Sequence, residues 1–207
     1  SYRKNIKRTD KIDNLKASKN DYITDIVEGK TFDKLLFFTE TGQVYTLEVH
    51  KLPEHHGLST GESLKKYLKI PLNEKIIGMT CINDSNKNKY IALATEKGMI
   101  KKTIASEYET NYTKIKAIKL NQNDKVVDME VIDDNTDIMM ATSKGKIIRF
   151  SADSFSDTGR NTKGSKGINL QKGDKVLNMA KTNNNNYVIA ITESGKGHRS
   201  HKKHFSK

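Results

Sequence analysis

One short pattern returns four times along this 207-residue chain, and no other feature restricts its fold as tightly. Leu35-Leu36-Phe37-Phe38-Thr39-Glu40-Thr41-Gly42-Gln43-Val44-Tyr45 sets the order: an apolar run, a threonine, two mostly polar residues, a glycine and a second run. The same order of residue types returns at 90–100, 137–147 and 187–195, and its glycines, Gly42, Gly98, Gly145 and Gly195, fall 56, 47 and 50 residues apart. Self-similarity at that period is the mark of a propeller-like array with one blade per repeat.

Each copy reads as a β-hairpin, with the glycine supplying positive φ at the turn. The incoming run is apolar throughout, so it must be buried on both faces. The outgoing strands alternate basic and apolar residues, and Lys101, Lys102 and Arg149 are expected to face outward or to project beyond the core. A second unit lies between hairpins: a polar turn, then Lys75-Ile76-Ile77-Gly78-Met79, Lys125-Val126-Val127-Asp128-Met129 and Lys175-Val176-Leu177-Asn178-Met179. These read as buried strands with core-filling methionines. A further short strand is expected before each, at Ala117-Ile118-Lys119-Leu120 and Gly167-Ile168-Asn169-Leu170. About four strands per repeat follow, an all-β fold without a helix of useful length. The expected organisation is one domain over 1–207, with at least four repeat units, at approximately 1–30, 31–84, 85–134, 135–182 and 183–207, the first and last incomplete. Lys4-Asn5-Ile6-Lys7-Arg8-Thr9 resembles an outgoing strand without its partner, and Asn183-Asn184-Asn185-Asn186 reads as a solvated loop.

The chain carries 37 Lys+Arg against 25 Asp+Glu, a formal net charge of +12, which favours an anionic partner. Residues 146–207 hold 13 of the cations and only 4 of the acids, so polyanion contact is expected to be strongest there. No run approaches the length of an apolar membrane span, and the charged start of the sequence as given argues against a secretory signal, so the expected compartment is cytoplasmic. The single cysteine, Cys81, lies in an apolar strand and reads as packing.

Cations concentrate in the loops that follow the hairpins. The clearest is Phe155-Ser156-Asp157-Thr158-Gly159-Arg160-Asn161-Thr162-Lys163-Gly164-Ser165-Lys166-Gly167, where glycines admit a phosphate to the backbone and Arg160, Lys163 and Lys166 supply charge. Comparable loops carry Lys16 and Lys19, Lys65 and Lys66, and Lys114 and Lys116. Lys7, Arg8, Lys101, Lys102, Arg149, Arg199, Lys202 and Lys203 complete the candidate contacts to a phosphate backbone. Lysine-dominated contacts read charge and carry little sequence information. No nucleophile elbow, P-loop or Ser-His-Asp grouping appears, so no catalytic residue is assigned. His198, His201 and His204, beside Arg199, Lys202 and Lys203, read as an extension of a basic strand rather than as metal ligands, and no metal site or cofactor is expected.

The hairpin repeat, the stretch Gly159-Arg160-Asn161-Thr162-Lys163-Gly164-Ser165-Lys166-Gly167-Ile168-Asn169-Leu170 and Gly173-Asp174-Lys175-Val176 together resemble the C-terminal β-pinwheel domain of bacterial type IIA topoisomerase A subunits. The resemblance implies a disc of four-stranded blades whose outer rim bends or wraps double-stranded DNA. It also implies a non-catalytic, nucleoid-associated role within an ATP-dependent enzyme, beside the remainder of the A subunit, through which the domain is linked to the ATPase B subunit. Gyrase A subunits carry a Gln-Arg-Arg-Gly-Gly-Lys-Gly-like box where this sequence has Leu15-Lys16-Ala17-Ser18-Lys19-Asn20-Asp21. That departure, with Ile6-Lys7-Arg8-Thr9 and Val49-His50-Lys51-Leu52-Pro53-Glu54, favours the topoisomerase IV A subunit, whereas 159–170 is more gyrase-like. A propeller-like platform whose basic rim docks acidic proteins is the alternative from a different class.

Overall fold

The computed structural model describes residues 24–54, 61–182 and 187–205. The strand expected at 4–9, the loop expected at 183–186 and the candidate contacts Lys7, Arg8, Lys16 and Lys19 lie outside them. The described residues form thirteen strands: β1 (Lys34–Thr39), β2 (Gln43–Glu48), β3 (Ile76–Ile82), β4 (Tyr90–Thr95), β5 (Met99–Ile104), β6 (Lys114–Lys116), β7 (Val126–Ile132), β8 (Asp137–Thr142), β9 (Ile147–Ser151), β10 (Ser165–Lys166), β11 (Val176–Thr182), β12 (Tyr187–Ile191) and β13 (Gly197–His201). The helical segments among them are short 3-10 turns.

The strands make antiparallel sheets in the order β3-β1-β2-β6, β7-β4-β5-β10, β11-β8-β9 and β12-β13. Each full sheet is a hairpin, the strand that follows it, and an edge strand supplied by the next repeat. That edge strand differs in position from the expected 117–120 and 167–170. It is β6 in one sheet and β10 in the next, and the chain then leaves the edge because the N–H groups of Ala117 and Ile118 both turn to the Gly42 carbonyl, at 2.8 and 3.3 Å. The same turn recurs at Gly167 and Ile168 beneath Gly98. Ile118 and Ile168 are thereby buried instead of lying along an edge.

The hairpin glycines have φ of 76, 84, 78 and 79°, as the pattern requires. The threonines before them are equally purposeful. Thr95 is buried and donates to the Asp124 carboxylate at 2.7 Å, as Thr39 does to Glu74 at 2.5 Å, tying each hairpin to the polar turn that precedes the next strand.

Both faces of the incoming strands are occupied. Leu36 and Phe38 of β1 share a core with Ile91 and Leu93 of β4 and with Tyr108 and Ile118, while Leu35 and Phe37 pack with Tyr45, Leu47, Leu68 and Cys81. The opposite face of β4 offers Tyr90 at its start and then Ala92 and Ala94, small enough to admit Ile138, Met140 and Met179 of the next blade. Each fully buried aliphatic or aromatic side chain contributes about 1.5–3 kcal/mol, so the blades are held together chiefly by these shared cores. β12 departs from the expectation of burial: Ile189 and Ile191 are 67% and 73% exposed. Among the described residues its sheet has only two strands, without the third that β3, β7 and β11 provide elsewhere.

Successive third strands, β3, β7 and β11, touch one another and form the inner edge of the array. Gly78 lies against Met129 so closely that a Cβ there would come within 2.5 Å of the methionine Cγ. One blade further on, Asp128 accepts hydrogen bonds from the Met129 and Met179 N–H groups, both at 2.8 Å, and bridges β7 to β11. Burial pushes the Asp128 carboxyl up to about 6 against the opposing effect of those two bonds. Cys81 is buried with its thiol 3.7 Å from Asp33, and burial followed by that carboxylate pushes it up to about 12.

Candidate nucleic-acid interface

The edge opposite the methionines carries the cations. β6 closes the first sheet, with Gln43 opposite Lys116 and Tyr45 opposite Lys114. Lys114 and Lys116 are exposed, and the Lys114 ammonium stands 5.1 Å from the centre of the Tyr45 ring. Lys66, Lys116 and Lys166 recur at fifty-residue intervals and all three are exposed, Lys116 on β6 and Lys166 on β10, with Lys66 in a 3-10 turn.

The second sheet is closed by a longer segment. The Thr158 N–H donates to the Lys102 carbonyl at 3.0 Å, and the Thr103 hydroxyl donates to the Thr158 carbonyl at 2.8 Å. The Arg160 N–H reaches Glu107 at 3.2 Å, and the Lys119 N–H donates to the Thr162 carbonyl at 2.8 Å. The chain then turns at Gly164 and enters β10, with Ser165 opposite Ile100 and Lys166 opposite Met99. Gly164 has φ of 77°, and a Cβ there would overlap the Ile100 carbonyl oxygen and come within 2.8 Å of Lys101 Cβ, so this turn requires glycine. A loop of the third repeat thus runs along the outer edge of the second blade to a segment packed on the first.

The candidate cations separate by surroundings. Lys116, Lys163 and Lys166 are exposed, and no side-chain hydrogen bond or ion pair engages them among the described residues. Arg160 is half-buried, 3.9 Å from Glu107. Lys65 donates to the Leu72 carbonyl at 2.6 Å and Lys66 pairs with Glu62 at 3.3 Å, both near the surface. Arg199 lies over Tyr187 at 4.9 Å, Lys203 is exposed and Lys202 is half-buried. His198 and His201 stand on β13 and His204 in the turn after it; burial and neighbouring cations lower His201.

Three expectations are corrected. Lys101 and Lys102 are 0% and 5% exposed, and neither faces outward. Lys101 Nζ donates to Thr103 Oγ1, the Ala117 carbonyl and the Arg160 carbonyl at 2.7, 2.7 and 3.0 Å, which uses all three of its protons. Lys102 is enclosed by the Tyr90 and Phe155 rings and pairs with Asp134 at 3.1 Å. Arg149 faces Asp137 across β8 and β9 at 3.7 Å with only 13% of either side chain exposed. In a stacked array the flanks of a strand are covered by neighbouring blades, so alternation along the outgoing strand does not separate core from solvent. Conversely, Lys119, read as part of a strand, is exposed and joined through its backbone to the cationic loop. Its place beside Thr162 depends on a contact between repeats that spacing alone does not disclose.

Antiparallel blades sharing cores, the first two closed by a strand from the following repeat, define a β-propeller of the pinwheel kind. A family model described as the DNA gyrase C-terminal domain, beta-propeller, matches residues 33–83, 89–133 and 136–183, and the chain belongs to that family, the C-terminal domains of type IIA topoisomerase A subunits. Among curated relatives, the DNA gyrase A protein of Clostridium acetobutylicum is 31% identical over 138 residues, 66% of this chain and 17% of that protein. Its Escherichia coli counterpart is 28% identical over 140 residues, 67% of this chain and 16% of its own length. The chain therefore matches a small part of these proteins. A crystal structure of the C-terminal domain of DNA topoisomerase IV superposes with a TM-score of 0.86 at 27% identity, covering 94% of this chain and 61% of that one. A DNA gyrase A C-terminal domain superposes at 0.72 with 21% identity, covering 93% and 62%, and shares the fold.

Proposed function

We propose that this domain binds double-stranded DNA along its outer edge and bends or wraps it, as the non-catalytic accessory domain of a bacterial type IIA topoisomerase. The carrying observation is the set of exposed cations, Lys116, Lys163 and Lys166, left without acidic partners on the edge strands and loop of successive repeats. Cations already neutralised within the fold release no counterions on binding; free ones do. On this reading the protein partners are the remainder of the A subunit, with the ATPase B subunit reached through it. No cofactor is used in the domain, and the site of action is the nucleoid. The test is closure of a nicked plasmid by ligase with and without the domain: a shift in linking number reports wrapping and its sign. No shift, together with duplex binding that is insensitive to salt, would overturn the reading in favour of a protein-docking platform.

Within that reading the topoisomerase IV A subunit is favoured over gyrase. Leu15-Lys16-Ala17-Ser18-Lys19-Asn20-Asp21 lacks the paired arginines and glycines of the gyrase box. The parent enzyme should relax and decatenate DNA, and robust ATP-dependent negative supercoiling by it would refute this preference while leaving DNA binding untouched.

A further inference from the structure

We propose that Lys101 is a positioning residue that holds the 157–163 loop against the outer edge, so that Arg160 and Lys163 meet the duplex in a fixed register, while its own ammonium touches no phosphate. The proposal rests on the DNA-binding reading and adds to it the device that shapes the surface.

Lys101 Nζ joins three separate pieces of chain: Thr103 on its own strand, the Ala117 carbonyl at the turn beneath Gly42, and the Arg160 carbonyl in the loop. The corresponding positions, three residues after the hairpin glycine, are Tyr45, Ile148 and His198, so a lysine is no requirement of the blade. Burying an ammonium costs free energy that an apolar side chain of similar volume avoids. What the lysine supplies is directed donation to two carbonyls that no aliphatic group can serve. Those carbonyls belong to the segment joined to exposed Lys119 and to the loop bearing Lys163, so a single buried group sets the spacing of cations from different repeats.

The charged groups acting on this ammonium are Glu107, from the 3-10 turn after β5, and Arg160, from the loop. Burial lowers Lys101 to about 8, with Glu107 opposing the shift and Arg160 adding to it. A neutral amine keeps two protons for three acceptors, so the loop should loosen as pH rises through that value. The fold itself should not weaken over the same range. The unfolded chain keeps this lysine protonated to about 10.4 and so binds more protons there, which makes stability rise with pH. Loss of DNA affinity without loss of stability is a signature that a merely structural lysine would not give.

The experiment compares the 207-residue chain with Lys101→Met, using a mixed-sequence duplex for binding and hydrogen exchange at amides 158–163 for the loop. For the unsubstituted chain, affinity should fall roughly tenfold between pH 7 and 9, the equivalent of one to two phosphate contacts. Lys101→Met should bind that much more weakly at pH 7, with no further fall by pH 9, and should melt no lower. An acetylated N-terminus removes the other group that titrates there. Wild-type affinity, pH profile and loop exchange in the variant would overturn the proposal. Should neither chain bind duplex, the DNA reading fails while loop exchange still judges the latch: faster exchange in the variant sustains it, equal exchange ends it. Should the variant not fold, protection of 158–163 in the unsubstituted chain, corrected for intrinsic rates, must drop through pH 8 relative to β4; constant protection would overturn the proposal.

Discussion

The two long edges of each sheet are built for opposite ends. The inner edge, β3, β7 and β11, carries Met79, Met129 and Met179 and packs strand against strand, with Asp128 and the Glu130–Lys181 ion pair at 3.5 Å both bridging β7 to β11. The outer edge, β6 and β10 with the 157–163 loop, presents Lys114, Lys116, Lys163 and Lys166 to solvent. The hairpin between them supplies the shared cores. If the outer edge binds DNA as proposed, stability and binding rest on different strands of one sheet, and substitutions at the two edges should dissociate the two properties.

The largest effect should come from the inner edge. Met129→Ala removes a buried side chain that packs against Gly78 and the core around Leu36, Ile91 and Ile118, and should lower stability by about 2–5 kcal/mol. Duplex affinity of the folded fraction should not change; equal losses in denaturant midpoint and affinity would break the comparison. Gly164→Ala strikes the outer edge at its most constrained backbone position, where φ is 77°. Strain of about 1–3 kcal/mol is expected, and because β10 must shift to relieve it, affinity should fall more than melting temperature does.

The smallest effect concerns pH. The carboxyl of Asp128 is raised in the fold to about 6 from 3.8, so its favourable contribution is complete below about pH 4 and is lost as pH rises through 6. The chain should resist urea better at pH 5 than at pH 7 at this site, and Asp128→Asn should flatten that difference without altering duplex binding at pH 7. A variant with an unchanged pH profile would remove Asp128 from the account of the inner edge.

Much of the inner half was legible in the sequence, because an apolar run, a glycine and a lysine-led methionine strand each follow from local periodicity. Gly42, Gly98, Gly145 and Gly195 mark the turns directly. The outer half was harder to read. β6 and β10 have three and two residues, and each pairs with a hairpin from the preceding repeat, so no local pattern announces them. Lys101 and Lys102 look like surface residues by alternation, but Lys101 is covered by the Ala117 turn and the 157–163 loop, and Lys102 by Tyr90, Phe155 and Asp134. Arg160, Lys163 and Lys166 were recognisable because glycine spacing exposes a loop, whereas Lys119 enters the surface only through a backbone hydrogen bond between repeats.

The most direct test is the salt dependence of duplex affinity for two triple variants with the same change in net charge. Arg160→Ala, Lys163→Ala and Lys166→Ala together empty the outer loop. Lys87→Ala, Lys89→Ala and Lys97→Ala together remove cations on inter-strand turns that are already engaged by Asp84, Asp133 and the Gln122 carbonyl at 2.8, 3.3 and 2.8 Å. The outer triple should reduce the slope of log affinity against log salt by roughly 2–3 units, at about 0.9 per phosphate contact, and to the same extent on unrelated DNA sequences. The turn triple should change it far less. Equal losses of affinity and slope in the two variants would mean that net charge alone drives binding, and the outer edge would not be the DNA-binding surface.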